Sequence, residues 1–179
     1  MGTSARSDDD NIGLNLLIGV GLCVVLALIY APFLWLAGQF GVLWSLAKGA
    51  LALIVSAFVL VYSLYGVARG IAAVSGGRYD AEGVQFPLNI LAAVACALFT
   101  TAHVVNATAA ATSAASTWLT IVLHILGFFA VYVGYALWSI AFIGGAYRTL
   151  SGLTAIISYI VFAFWPTGAA GLLRLVHLA

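Results

Sequence analysis

Between Asp10 and Arg69 the chain carries one formally charged side chain, Lys48, and between Glu82 and Arg148 it carries none. Uncharged stretches of that length leave few folds open. A water-soluble domain solvates its surface with roughly 25% charged residues. Here 6% of the 179 residues are charged and 65% are hydrophobic. Lipid is therefore the solvent facing most of the surface. In lipid every backbone N–H and C=O must be satisfied within the chain, which leaves helices or a closed barrel. The apolar stretches show no strict alternation, so a barrel is excluded. The sequence reads as all-α, a polytopic integral membrane protein with about five transmembrane helices.

Crossing the roughly 30 Å hydrocarbon layer takes about 20 apolar residues. Runs of that kind are Ile12 to Leu36, Gly49 to Ala68, Phe86 to about Ala107, Thr117 to Gly145, and Leu150 to about Leu173. Pro166 and Gly168 interrupt the last run. It is read as one kinked span, with a shorter span followed by an interfacial segment, Thr167 to Ala179, as the alternative. Met1 to Asn11 is a polar tail, leaving 12–179 as a single transmembrane helical domain. The run after Asn11 is too long for the apolar core of a cleaved signal peptide. Gly2 lacks the Ser or Thr four residues on that N-myristoylation needs.

The links read as Gly38 to Lys48, Arg69 to Gln85 and Ala107 to Ser116. Lys48 is taken as an interfacial residue whose stem lies along the bilayer edge. Gly66 and Gly70 have the spacing that lets two membrane helices approach closely, and are expected to straddle a helix end. Pro87 suits a first helical turn, where its missing N–H costs nothing. With the N-terminus inside, Arg6, Arg69, Arg78 and Arg148 lie on the inner side against Lys48 and Arg174 outside, a positive-inside bias. Trp35, Trp44, Trp118 and Trp165 then gather at the outer interface. Short polar ends and Ala/Gly-rich spans fit a bacterial inner membrane.

Composition and motifs exclude several functions. A net charge of +1 leaves no basic face for nucleic acid. Cys23 and Cys96 do not form a CxxC pair and read as small buried hydrophobes. P-loop, HExxH, GxSxG and dinucleotide fingerprints are absent. No acid lies inside a span, which disfavours ion-coupled transport.

The cofactor-binding candidates are His103 and His124. Counted from the link between their runs, both fall at one depth, roughly 7 and 10 Å below the outer boundary at 1.5 Å per residue. Facing one another, they would hold a b-type haem or a transition metal, with Gly127 leaving room for a flat ring. Otherwise each hydrogen-bonds a neighbouring Thr or backbone carbonyl. The leading reading is a non-catalytic accessory or assembly subunit that packs against itself or other membrane subunits in the bilayer. A homo-oligomeric channel or small-solute transporter is the alternative, with Tyr132, Tyr135, Ser139, Thr154 and Ser158 lining its path. The haem-bearing electron carrier is the second alternative.

Overall fold

The computed structural model describes Leu17, Gly21, and residues 24–76, 78, 80–143 and 148–175. Within them the chain forms α1 (Val24–Leu36), α2 (Gly41–Val74), α3 (Ala81–Thr112), α4 (Thr117–Ile143), α5 (Arg148–Phe164) and α6 (Pro166–Leu175). There is no strand among the described residues, as the need to satisfy the backbone in lipid requires.

Three helices, α2, α3 and α4, are long and apolar enough to cross a membrane; α5 with α6 makes a fourth if the bent pair counts as one span. That is fewer than the five expected. The described part of the first run, Val24–Leu36, is shorter than a crossing. Most of the rest of that run, with the polar tail and Cys23, lies outside the described residues. The last run is not one mildly kinked helix. It breaks at Trp165, and α6 leaves α5 at 104°. Pro166 explains the position, since it cannot continue a helix and suits the first position of a new one.

The links are shorter than the composition suggested. Helix α1 closes at Gly38, whose φ of 68° is the left-handed turn a glycine adopts without penalty. Gly38 N–H donates to the Trp35 carbonyl at 2.9 Å and Gln39 N–H to the Leu34 carbonyl at 2.8 Å, a Schellman closure. Helix α2 begins two residues later, so Lys48 lies inside a helix and not in a link. Its ammonium reaches back 5.8 Å over the Trp44 ring, as a snorkelling side chain does. Helix α2 also continues past Ala68 to Val74, which puts Gly66 and Gly70 inside it. Helix α3 starts at Ala81, with Glu82 in the first turn where the helix dipole favours an acid. Pro87 therefore falls in the second turn, and the carbonyl it leaves free belongs to exposed Gly83. At the other end α3 runs through the Ala/Thr/Ser stretch to Thr112. Thr112 and Ser113 hydroxyls bond back to the Ala109 and Ala110 carbonyls at 3.1 and 2.8 Å.

Helix α3 is the axis of the bundle, packing against α2, α4, α5 and α6. Its small residues allow this: Ala92, Ala93, Cys96 and Ala97 are buried, the first three against Ala57 of α2 and Phe142 of α4. Its middle meets Val131, Tyr135, Ala155, Phe162, Ala169 and Leu173. Beyond that, Ala111 packs with Tyr30, Leu34, Leu119 and Leu123.

Antiparallel neighbours carry Trp35, Trp44, Trp118 and Trp165 to one end, all more than half exposed. Tyr62, Tyr65 and Arg69 lie at the other, with the Arg69 guanidinium 4.5 Å over the Tyr65 ring. From Trp44 to Tyr65, α2 rises about 31 Å, close to the roughly 30 Å of a hydrocarbon layer.

His103 fixes the register of α2 on α3. Its Nε2 lies 3.2 Å from the Ser45 carbonyl, and its ring fills the place a side chain at Gly49 would take. Gly49→Ala should therefore destabilise the protein by about 1–3 kcal/mol, the usual cost of overpacking. Gly66→Ala, with open space around it, should be neutral or slightly stabilising. Thermal unfolding in detergent checks both. Equal midpoints for the two variants would mean that His103 does not set the α2–α3 approach.

Candidate functional site

Among the described residues, a cluster of polar side chains from four helices surrounds Gly127. A helical side chain lies over the turn N-terminal to its own Cα. The missing one at Gly127 uncovers the carbonyls of Leu123 and His124. Two tyrosines from other helices use the opening. Tyr30 of α1 donates its hydroxyl proton to the Leu123 carbonyl at 3.1 Å. Tyr159 of α5 donates to the His124 carbonyl, also at 3.1 Å. Thr108 of α3 adds its Oγ1 3.4 Å from the Tyr30 hydroxyl, while donating its own proton to the Val104 carbonyl at 2.7 Å. A Cβ placed on Gly127 would lie 2.8 Å from Thr108 Oγ1, 2.8 Å from the Tyr159 hydroxyl and 3.1 Å from that of Tyr30. The room at Gly127 is thus filled by hydroxyls.

His124 completes the cluster. Its Nδ1 is 3.1 Å from the Tyr159 hydroxyl oxygen. The Tyr159 hydroxyl thus lies within hydrogen-bond reach of both the carbonyl and the Nδ1 of His124, with the imidazole tautomer setting which group donates. Backbone and ring of one residue thereby grip one phenol from two sides, with the rings edge to face at 6.4 Å between centroids.

The structure does not bring His103 and His124 together. Thr108 stands opposite Gly127. On the helical rise, His103 then lies about 7 Å from that level towards the arginine end and His124 about 4 Å towards the tryptophan end. The shared depth expected from the sequence fails because α3 and α4 do not end level: the chain climbs through Ser113–Ser116 before α4 begins. The rings also turn to different neighbours, His103 to Ser45 on α2 and His124 to Tyr159 on α5. No group of three or more His, Cys, Asp or Glu side chains able to hold a metal occurs among the described residues.

A second polar group lies nearer the arginine end. Tyr135 donates to Ser158 Oγ at 2.9 Å, Ser158 to the Ala155 carbonyl at 3.2 Å, and Thr101 Oγ1 sits 3.5 Å from Ser158 Oγ. Trp138 donates its indole N–H to Thr100 Oγ1 at 2.7 Å, and Thr100 fits against Gly134. Of the residues expected to line a path, Tyr135 and Ser158 are therefore bonded to each other. Ser139 is buried, its hydroxyl without a partner among the described residues. Tyr132 faces outward, 45% exposed.

The sequence marks out neither Tyr30 nor Tyr159, and Thr108 reads only as part of the link. Each is a hydroxyl in or beside an apolar run, which was the available signal. Which hydroxyls meet depends on helix facing. Comparison with protein-family models, curated proteins and solved structures found no match.

The arrangement is four helices tied at one level. Hydrogen bonds between membrane helices average about 0.6 kcal/mol and reach about 1.7. Tyr159→Phe, which removes the partner of both the His124 ring and its carbonyl, should cost about 1–2 kcal/mol. Tyr30→Phe should cost less. Denaturant unfolding in mixed micelles measures both; a Tyr159→Phe protein as stable as the parent would show that the cluster does not hold the helices.

Proposed function

We propose that this protein is a five-span integral membrane protein acting as a non-catalytic accessory or assembly subunit, through packing against other transmembrane helices. The observation that carries the reading is the contrast between α2 and α3. Half of the most apolar stretch of α3 is buried within the chain, but only 12% of that of α2. On the open side of α2, Ser56, Ser63, Gly66 and Gly70 are exposed, and among the described residues no atom beyond the helix's own nearby backbone lies within 4 Å of a Cβ built at either glycine. Small residues on an open membrane helix favour close backbone approach to a second helix. The polar side chains near Gly127 and Ser158 bond within the chain, which suits a structural role for them.

The five spans are Ile12–Leu36 and the runs containing α2, α3, α4 and α5. At about 25 Å, α5 falls short of the roughly 30 Å hydrocarbon layer, a mismatch that local thinning of the bilayer accommodates. We assign the N-terminus to the inner side on the arginine distribution, and the membrane to a bacterial inner membrane on composition.

Single cysteines at Ser56, Ser63 and Gly70, oxidised in native membranes, should give cross-linked species. Cysteines at Leu53 and Ala57, which are buried, should not. Monomer at every position would remove the support for the assembly reading.

A further inference from the structure

The break at Trp165 sends the last helix across the bundle instead of through it. Helix α5 follows α4 and packs back against it, so it returns towards the tryptophan end, and Ser158 stands against Thr101 of α3. Trp165 comes about 10 Å further on, which brings it near the level of Thr108 and hence of Trp44. There α6 leaves nearly perpendicular to α5, at 104°. One face of α6 is pinned to the bundle: Ala169 and Leu173 are fully buried in the cluster that includes Val104 and Val105 of α3. The remaining surface is of another kind. On α6 itself Leu175 is 77% exposed with Arg174 exposed beside it, and at the break Phe164, the last residue of α5, is 88% exposed and Trp165 59%. Trp165 folds back over Gly168, which leaves space for its indole. Aromatic and long apolar side chains next to a cation suit the boundary between headgroups and acyl chains.

We propose that α6 is an in-plane helix seated in the headgroup layer at the tryptophan end, and that its partner is the lipid surface of that leaflet. It crosses α3 as a collar, its inner face held by protein and its outer face by lipid. The proposal rests on the chain being embedded in a bilayer, and the test separates the two.

The experiment is spin labelling of single cysteines in lipid vesicles, in a Cys23→Ala/Cys96→Ala background. Depth is read from the relative collision rates with oxygen and a water-soluble nickel chelate. Thr167, Gly171 and Leu175 sample the length of α6, and all three are exposed, with open space at Gly171. Ile157 of α5, 61% exposed, serves as the acyl-chain reference. An in-plane α6 gives three shallow depths that agree within about 4 Å, because a near-perpendicular helix about 15 Å long changes depth little. The Ile157 label lies deeper, among acyl chains. A depth increasing by about 12 Å from Thr167 to Leu175 overturns the proposal in favour of a re-entrant or spanning α6, with the membrane reading intact. An Ile157 label that meets water and not oxygen-rich lipid overturns both.

Discussion

A hydroxyl buried between packed helices must find its partner within the chain, and the side-chain hydrogen bonds of this bundle follow from that. Most hydroxyls find the nearest backbone carbonyl of their own helix: Ser63 on Val59, Thr100 on Cys96, Thr101 on Ala97 and Thr108 on Val104, each at 2.7 to 2.8 Å. Tyrosine is too long to do so. Tyr30 and Tyr159 reach carbonyls on a neighbouring helix, and only where the covering side chain is missing. Gly127 supplies that gap. Burying an unsatisfied hydroxyl costs about 1–3 kcal/mol, so the glycine and the two phenols are mutually dependent.

The same logic places the other close contacts. Gly49 admits the His103 ring and Gly134 admits Thr100. Each glycine sits where a polar side chain of α3 or a phenol must approach a neighbouring helix, and α3 carries the small residues that let the others come near. Helix α2 is the exception. It touches α3 along one face and leaves most of its surface to lipid or to a partner, which is why the assembly reading centres on it.

Much of the fold was legible in the sequence, because charge depletion and run length report directly on the solvent. The all-helical class, the spans of α3 and α4 and the gathering of tryptophans at one end all follow from those two quantities. Link lengths were overestimated for a physical reason. Gly41, Lys48, Arg69 and the Ala/Thr/Ser stretch are polar or small, yet helices overshoot the hydrocarbon layer, and headgroup-level residues need not be loops. The pairing of His103 with His124 failed for a related reason. Equal depth requires a level link, whereas α4 begins higher than α3 ends. Facing was illegible throughout: nothing in the local pattern says that Tyr30 and Tyr159, far apart in sequence, share the space above Gly127.

The most direct test is the sidedness of the two ends of the bundle. Single cysteines at Ser113, in the link at the tryptophan end, and at Arg78, in the link at the arginine end, are both exposed. In sealed, uniformly oriented membrane vesicles, a membrane-impermeant maleimide should label one of them from outside and the other only after the membrane is permeabilised. Labelling of both from the same side, or recovery of the protein in the aqueous fraction, would contradict a bundle that spans the bilayer along α2, α3 and α4.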